Sequence, residues 1–331
     1  MQLQDGTLEQ PSSVWRFLSS ATTLSIAALC RGFLYSLNTT EVNGLERFLK
    51  LLESRQDDSS RARGLITVSN HISVMDDPLM WGVIPLRSHW EFQPCNRRWA
   101  LGSHDICFKN SASMGKQRWS ISNTCVDPFS EVPTAFTTNG EDAYLAPSAY
   151  ACNSYSWIHI FPEGMIHQSA HKTMRYFKWG ISRLILEPAE CPDIVPMWIE
   201  GTDGVMHEDR GFPRFIPRIN KNVSVTFGEK VDTEAIFGEL RSKWQKLKRE
   251  SEQGSTEPLA VGILNEKLMY GDEATELRLE CTRKVRDLVL EVRRSRGFPD
   301  EDPKASMAET WLREGPKREG RMDDGSLVRD I

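Results

Sequence analysis

A chain of 331 residues with 26% charged side chains and a formal net charge of -5 can bury a substantial core as one domain, and its acidic balance disfavours wrapping around nucleic acid. The 7 cysteines, Cys30, Cys95, Cys107, Cys125, Cys152, Cys191 and Cys281, include no C-x-x-C pair, which argues against a zinc ribbon or a small disulfide scaffold. His159 and His167 lack a convincing third ligand, so no metal is expected.

Residues 1–13 read as an N-terminal tail. Val14 to Leu37 is apolar but interrupted by Arg16 and Arg31, and its uncharged part, Phe17 to Cys30, falls short of the roughly 20 residues needed to span a bilayer. The expectation is an interfacial or re-entrant helix whose arginines reach towards lipid phosphates, which makes a membrane surface a partner; the alternative is a helix that covers the protein's own core. Asp5 and Glu9 oppose a signal peptide or a cleaved presequence. Gly44 to Leu52 continues as a short helix, so residues 14–52 form a membrane-interface helical segment, and Glu53 to Gly64 is a connecting loop.

Residues 65–296 read as one α/β domain. Leu65 to Val68 is a buried strand, Asp77-Pro78 an N-cap followed by the first helical residue, and Pro78 to Ile84 a helical turn or two. Trp99 to Leu101 and Ile106 to Phe108 are weaker strand or helix candidates, and residues 109–155 lose all periodicity and form an irregular insert. Ser156 to Phe161, Ile194 to Ile199 and Asn222 to Phe227 read as strands, and Gly180 to Glu190 and Thr233 to Arg249 as helices. Glu273 to Arg296 is a long amphipathic helix with the stripe Leu277, Cys281, Val285 and Leu288, expected to pack on its own domain. Residues 297–331 carry no sustained apolar pattern and are expected to be disordered.

The chemistry-bearing residues lie at strand ends. His71 and Asp76 are five positions apart, which on one helix would leave their side chains about 140° apart; a strand-to-helix loop brings them together instead. An imidazole accepts a proton near neutral pH, and a carboxylate fixes its tautomer and stabilises its charged form. A G-x-S-x-G elbow is absent, so the attacking hydroxyl belongs to a substrate. After the strand before Phe161, Pro162 leads to Glu163, placed to hydrogen-bond a substrate hydroxyl or to orient a positive group, and Gly164 admits close backbone approach. Arg175 and Lys178 either supply a phosphate's countercharge or form a solvated helix face.

Four blocks in order, SNHISVMDDPLMWG, WIHIFPEG, MRYFKWGISRLI and VPMWIEGTDGVMHEDRGFPRFIPR, resemble the glycerolipid acyltransferase superfamily and, within it, the tafazzin family of phospholipid-lysophospholipid transacylases. The match is close over residues 65–108 and 157–228 and looser in the helical flanks. The resemblance implies an α/β fold, a glycerolipid-acyltransferase-like mixed sheet flanked by helices with an N-terminal interfacial segment. It implies that His71 is the general base, that Asp76 orients and charges it, and that the block Phe161, Pro162, Glu163 and Gly164 organises the acceptor's glycerol-phosphate end. The implied partners are a phospholipid acyl donor, a lysophospholipid acceptor such as monolysocardiolipin, and a mitochondrial membrane facing the intermembrane space, outer or inner. No cofactor is implied, because the donor lipid replaces acyl-CoA.

The sequence departs from that family between the two motifs. An arginine-containing phosphate block and an amphipathic helix are expected there, and Gln117 to Tyr155 resembles neither, leaving Lys116 or Arg118 as the available cations. An acyl-CoA-dependent acyltransferase and an inactive lipid-binding scaffold therefore stay open as alternatives.

Overall fold

The computed structural model describes residues 13–57, 61–91, 98–100, 135–137, 143–145, 155–253, 264–315 and 319–328; the expectations for the tail 1–12 and for most of 109–155, Lys116 and Arg118 included, fall outside them. The first half runs α1 (Ser13–Leu37), β1 (Thr39–Asn43), α2 (Leu45–Glu53), β2 (Leu65–Val68), α3 (Asp76–Met80), a 3-10 turn over Trp81–Val83, α4 (Leu86–Glu91) and β3 (Arg98–Ala100). The insert contributes β4 (Ala135–Thr137) and β5 (Ala143–Leu145), an antiparallel pair apart from the main sheet. Then follow β6 (Trp157–Ile160), α5 (Gly180–Leu186), β7 (Asp193–Glu200), α6 (Thr202–Val205), β8 (Asn222–Phe227), α7 (Thr233–Glu252), α8 (Glu266–Tyr270) and α9 (Asp272–Ser295).

The main sheet has six strands in the order β1-β8-β7-β2-β6-β3. All neighbours are parallel except β7 and β8, which pair antiparallel, so the sheet is mixed and flanked by helices. β2 and β6 are buried at every position, the mark of strands covered on both faces. Alternation sorts their side chains. Ile66, Val68, Ile158 and Ile160 point into the core beneath α5, α7 and α9, where the whole stripe Leu277, Cys281, Val285 and Leu288 is buried. Leu65 and Trp157 point into the opposite core with Cys30 and Leu34 of α1, Phe48 of α2 and Leu79 of α3.

Three expectations change. First, Thr39–Asn43 is a strand, and it extends the sheet at β8. Second, α1 is one continuous helix of 25 residues, about 37 Å long, and its stretch Phe17–Leu37 is long and apolar enough to cross a membrane. Its Arg31 does not reach outward: Nη1 donates to the carbonyls of Gly82 (3.2 Å) and Val83 (3.1 Å), and the guanidinium lies over Tyr35. A stripe of Ala27, Cys30 and Leu34 is buried, and a Cβ on Gly82 would stand 2.9 Å from Cys30, so the helix docks closely there.

Third, the described residues beyond Gly297 are folded onto the domain where disorder is expected. Glu301 accepts the N-H of Met174 at 2.7 Å and pairs with Arg286 and, at 3.5 Å, Arg293 of α9. The side chains of all three are buried. Two 3-10 turns, Pro303–Ser306 and Ala308–Trp311, follow, and Trp311 donates to the carbonyl of Ala305 at 2.9 Å. A charge that read as part of a solvated tail, Glu301, is the partner of two arginines buried on the preceding helix, 15 and 8 residues upstream.

Candidate active site

β2 ends at Val68, and Ser69 continues it by donating its N-H to the carbonyl of Ile160. Asn70 then turns its amide onto β7, donating to the carbonyl of Ile199 at 2.9 Å and accepting its N-H at 2.8 Å. This two-way bond imitates one more rung of the sheet, so the chain leaves β2 in a fixed direction. His71 is the next residue.

The loop from His71 to Asp76 closes around the carboxylate. Asp76 Oδ2 accepts from the N-H groups of Ile72 (2.7 Å) and Ser73 (2.8 Å) and lies 2.8 Å from His71 Nδ1. Its Oδ1 accepts from the hydroxyl of Thr202 at the start of α6. Asp76 has no exposure at all, while the His71 side chain keeps 20%. A carboxylate only accepts, so Nδ1 carries the hydrogen and Nε2 the lone pair, free to take a proton. The pair expected from spacing is thus brought together. α3 begins at Asp76 itself, two residues before the expected first helical residue Pro78, because Leu79 N-H bonds the carbonyl of Met75.

The second block meets the first from β6. Phe161 stacks on the His71 ring with centroids 4.3 Å apart and planes 24° apart, and it holds the imidazole's orientation. Pro162 is buried, and its carbonyl accepts the N-H of Lys178 at 2.8 Å. Gly164 has φ 67°, a left-handed conformation that favours glycine; a Cβ there would stand 2.7 Å from the Lys178 side chain.

Glu163 bonds two backbone groups. Oε1 accepts the N-H of His71 at 2.8 Å and Oε2 the N-H of Arg175 at 2.9 Å, from loops 92 and 12 residues away. With 1% exposure, it ties the backbone of the histidine to that of the segment leading into α5. Burial pushes its carboxyl up to about 7, against the lowering effect of the two N-H bonds. The Arg175 side chain is buried, pairs with Glu314 and lies 4.7 Å from the Trp311 ring. Lys178 is exposed and lies against Gly164, and is the cation of the two left open to solvent.

Several residues of the site carry no signal at short range. Thr202 reaches Asp76 across 126 positions, and Arg98 pairs with Asp77 at 2.7 Å while stacking on Trp81. His159 is a core residue, bonded to the Thr67 hydroxyl at 2.9 Å. Burial, with Arg98 and His71 nearby, holds it well below the ordinary histidine range, so it stays neutral. His167 packs on Trp311 and donates its N-H to the carbonyl of His71 at 2.8 Å.

A sequence profile of the family described as Acyltransferase matches residues 50–200. The chain is 31% identical over 332 residues to the tafazzin of Saccharomyces cerevisiae, across 91% of this chain and 84% of the yeast protein. It is 31% identical over 232 residues to the taffazin of Dictyostelium discoideum, across 67% of this chain and 72% of that one. An N-acylphosphatidylethanolamine synthase of Arabidopsis thaliana is 28% identical over 211 residues, across 63% and 69%.

Proposed function

Because this chain belongs to the tafazzin and glycerolipid-acyltransferase superfamily, we propose that it is a phospholipid-lysophospholipid transacylase, independent of CoA, that delivers an acyl chain to monolysocardiolipin. The single observation that carries this reading is the imidazole of His71, held at Nδ1 by a fully buried carboxylate and open at its other nitrogen. That arrangement is a general base without a protein nucleophile.

His71 Nε2 takes the proton of the acceptor's free hydroxyl as that oxygen attacks the ester carbonyl of a donor phospholipid. The tetrahedral adduct collapses with loss of the donor's glycerol oxygen, which receives the proton back from Nε2, leaving a lysophospholipid. Asp76 stabilises the imidazolium between the two steps, and Phe161 and Glu163 hold the ring and its backbone. One ester replaces another, so the exchange runs near equilibrium without nucleotide. Lys178, beside Gly164, is the cation suited to the acceptor phosphate. α1 anchors the protein to a mitochondrial membrane, and both lipids reach His71 without drawing their chains into water, which would cost about 0.8 kcal/mol per exposed CH₂.

The test supplies purified protein with labelled phosphatidylcholine or with labelled acyl-CoA, each beside monolysocardiolipin. Transfer from the phospholipid without CoA, abolished in His71→Ala, is the expected result. Strict dependence on acyl-CoA refutes the donor. Similarity to an N-acylphosphatidylethanolamine synthase motivates one more arm, with phosphatidylethanolamine as acceptor: label appearing on its amine in preference to a lysolipid hydroxyl refutes the acceptor.

A further inference from the structure

The loop between α6 and β8 exposes its apolar residues in a way that no part of the acyl-transfer machinery requires. Phe212 is 91% and Phe215 74% exposed, and Ile216 and Ile219 are half exposed. Isolated surface apolar residues are ordinary, but a contiguous group of four within eight positions marks an interaction site.

Arginines alternate with them. Arg210 donates to the carbonyls of His207 (2.6 Å) and Arg214, Arg214 to Glu208 (2.5 Å), and Arg218 to Gly211 (2.7 Å). The three guanidiniums brace the loop through its own carbonyls, and none forms an ion pair with a carboxylate among the described residues. In a chain of net charge -5, cations left without counter-ions among exposed phenyl rings suit a layer with anionic headgroups above a hydrocarbon interior.

The loop is also joined to the other bare apolar surface. Asn220 N-H bonds the carbonyl of Leu37 at the end of α1, at 2.8 Å, and Lys221 N-H bonds Asn38. At its root, the carbonyl of Met206 accepts from Ser73 within the His71-to-Asp76 loop. One bonded run therefore links α1, the exposed loop and the imidazole.

We propose that residues 211–219 are a second membrane-docking element, in which Phe212 and Phe215 enter the acyl region of an anionic phospholipid bilayer while Arg210, Arg214 and Arg218 meet lipid phosphates. The inference extends the membrane-bound reading above and stands apart from catalysis, since its test reads binding without turnover.

Full-length protein is titrated with vesicles of phosphatidylcholine alone and of phosphatidylcholine with one-fifth phosphatidylglycerol, by co-sedimentation and by amide hydrogen exchange. Partitioning is expected to be roughly 10-fold or more tighter on the anionic vesicles, with the amides of 211–219 gaining protection there. The double variant Phe212→Ser, Phe215→Ser, with thermal unfolding matching the parent, is expected to lose partitioning on the order of 10²-fold. Unchanged exchange across 211–219 on vesicle binding overturns the proposal, as does full partitioning of the folded double variant. Equal partitioning on both vesicles overturns the role of the arginines. The exchange measurement uses the parent protein and decides the matter if the double variant unfolds.

Discussion

Replacing Asp76 by Asn isolates the charge of the buried carboxylate from its shape. The amide has the same outline, and its orientation is dictated by its surroundings. Oδ2 of Asp76 faces the N-H groups of Ile72 and Ser73 and the Nδ1 of His71, so the amide oxygen has to take that place. The amide nitrogen then faces Thr202, whose hydroxyl turns from donor to acceptor. The histidine keeps its tautomer, and the loss is confined to the negative charge beside the imidazolium. Opposite charges about 4 Å apart attract by about 4 kcal/mol at an effective dielectric constant near 20, and at about 1.4 kcal/mol per tenfold the rate falls by on the order of 10²- to 10³-fold. Stability falls much less, by about 1–2 kcal/mol, because charge-assisted bonds become neutral ones. Acyl transfer from labelled phosphatidylcholine to a lysophospholipid gives the rate, and thermal unfolding gives the stability. A folded Asn variant that turns over within a few-fold of the parent refutes the assignment of Asp76 as the charge that stabilises His71.

Glu163 makes stability depend on pH with a definite sign. Its carboxyl rises from 4.5 in the unfolded chain to about 7 in the folded protein, so the folded state holds the proton more tightly. The contribution is fully present below pH 4.5 and lost as pH rises through 7, on the order of 3 kcal/mol in all. Glu163→Gln removes this slope from denaturant titrations run between pH 4.5 and 8; an identical slope in the variant refutes it. Glu301→Ala leaves Arg286 and Arg293 buried without their shared carboxylate and is expected to cost about 3–5 kcal/mol. Limited proteolysis then cuts beyond Gly297 at least ten times faster than in the parent, and an unchanged cutting rate counts against the docked C-terminal segment.

The sheet's centre was legible in the sequence because β2, β6, β7 and β8 are apolar runs bounded by turn residues, and their positions follow from that pattern alone. β1 was not, because TTEVN is polar, short and half exposed, and only pairing with β8 makes it a strand. The His71 and Asp76 pair was legible because both partners sit in one loop and spacing constrains them. Glu163 was legible as a residue, but its partners were not: they are backbone groups, which no side-chain pattern reports. The ion pair of Arg175 was illegible for a related reason, since the carboxylate that claims it, Glu314, lies in a segment whose composition gives no sign of folding. Thr202 carried no signal, as a threonine after Gly201 is an ordinary helix start.

Arg31 spans the gap between α1 and the short helical run that opens with Asp76, satisfying two carbonyls that would otherwise be stranded at its far end. The N-terminal helix and the imidazole consequently move as one piece. On the membrane-bound reading proposed above, the depth of that helix in a lipid layer sets the height of His71 above or below the headgroups, like a gauge fixed to a hull.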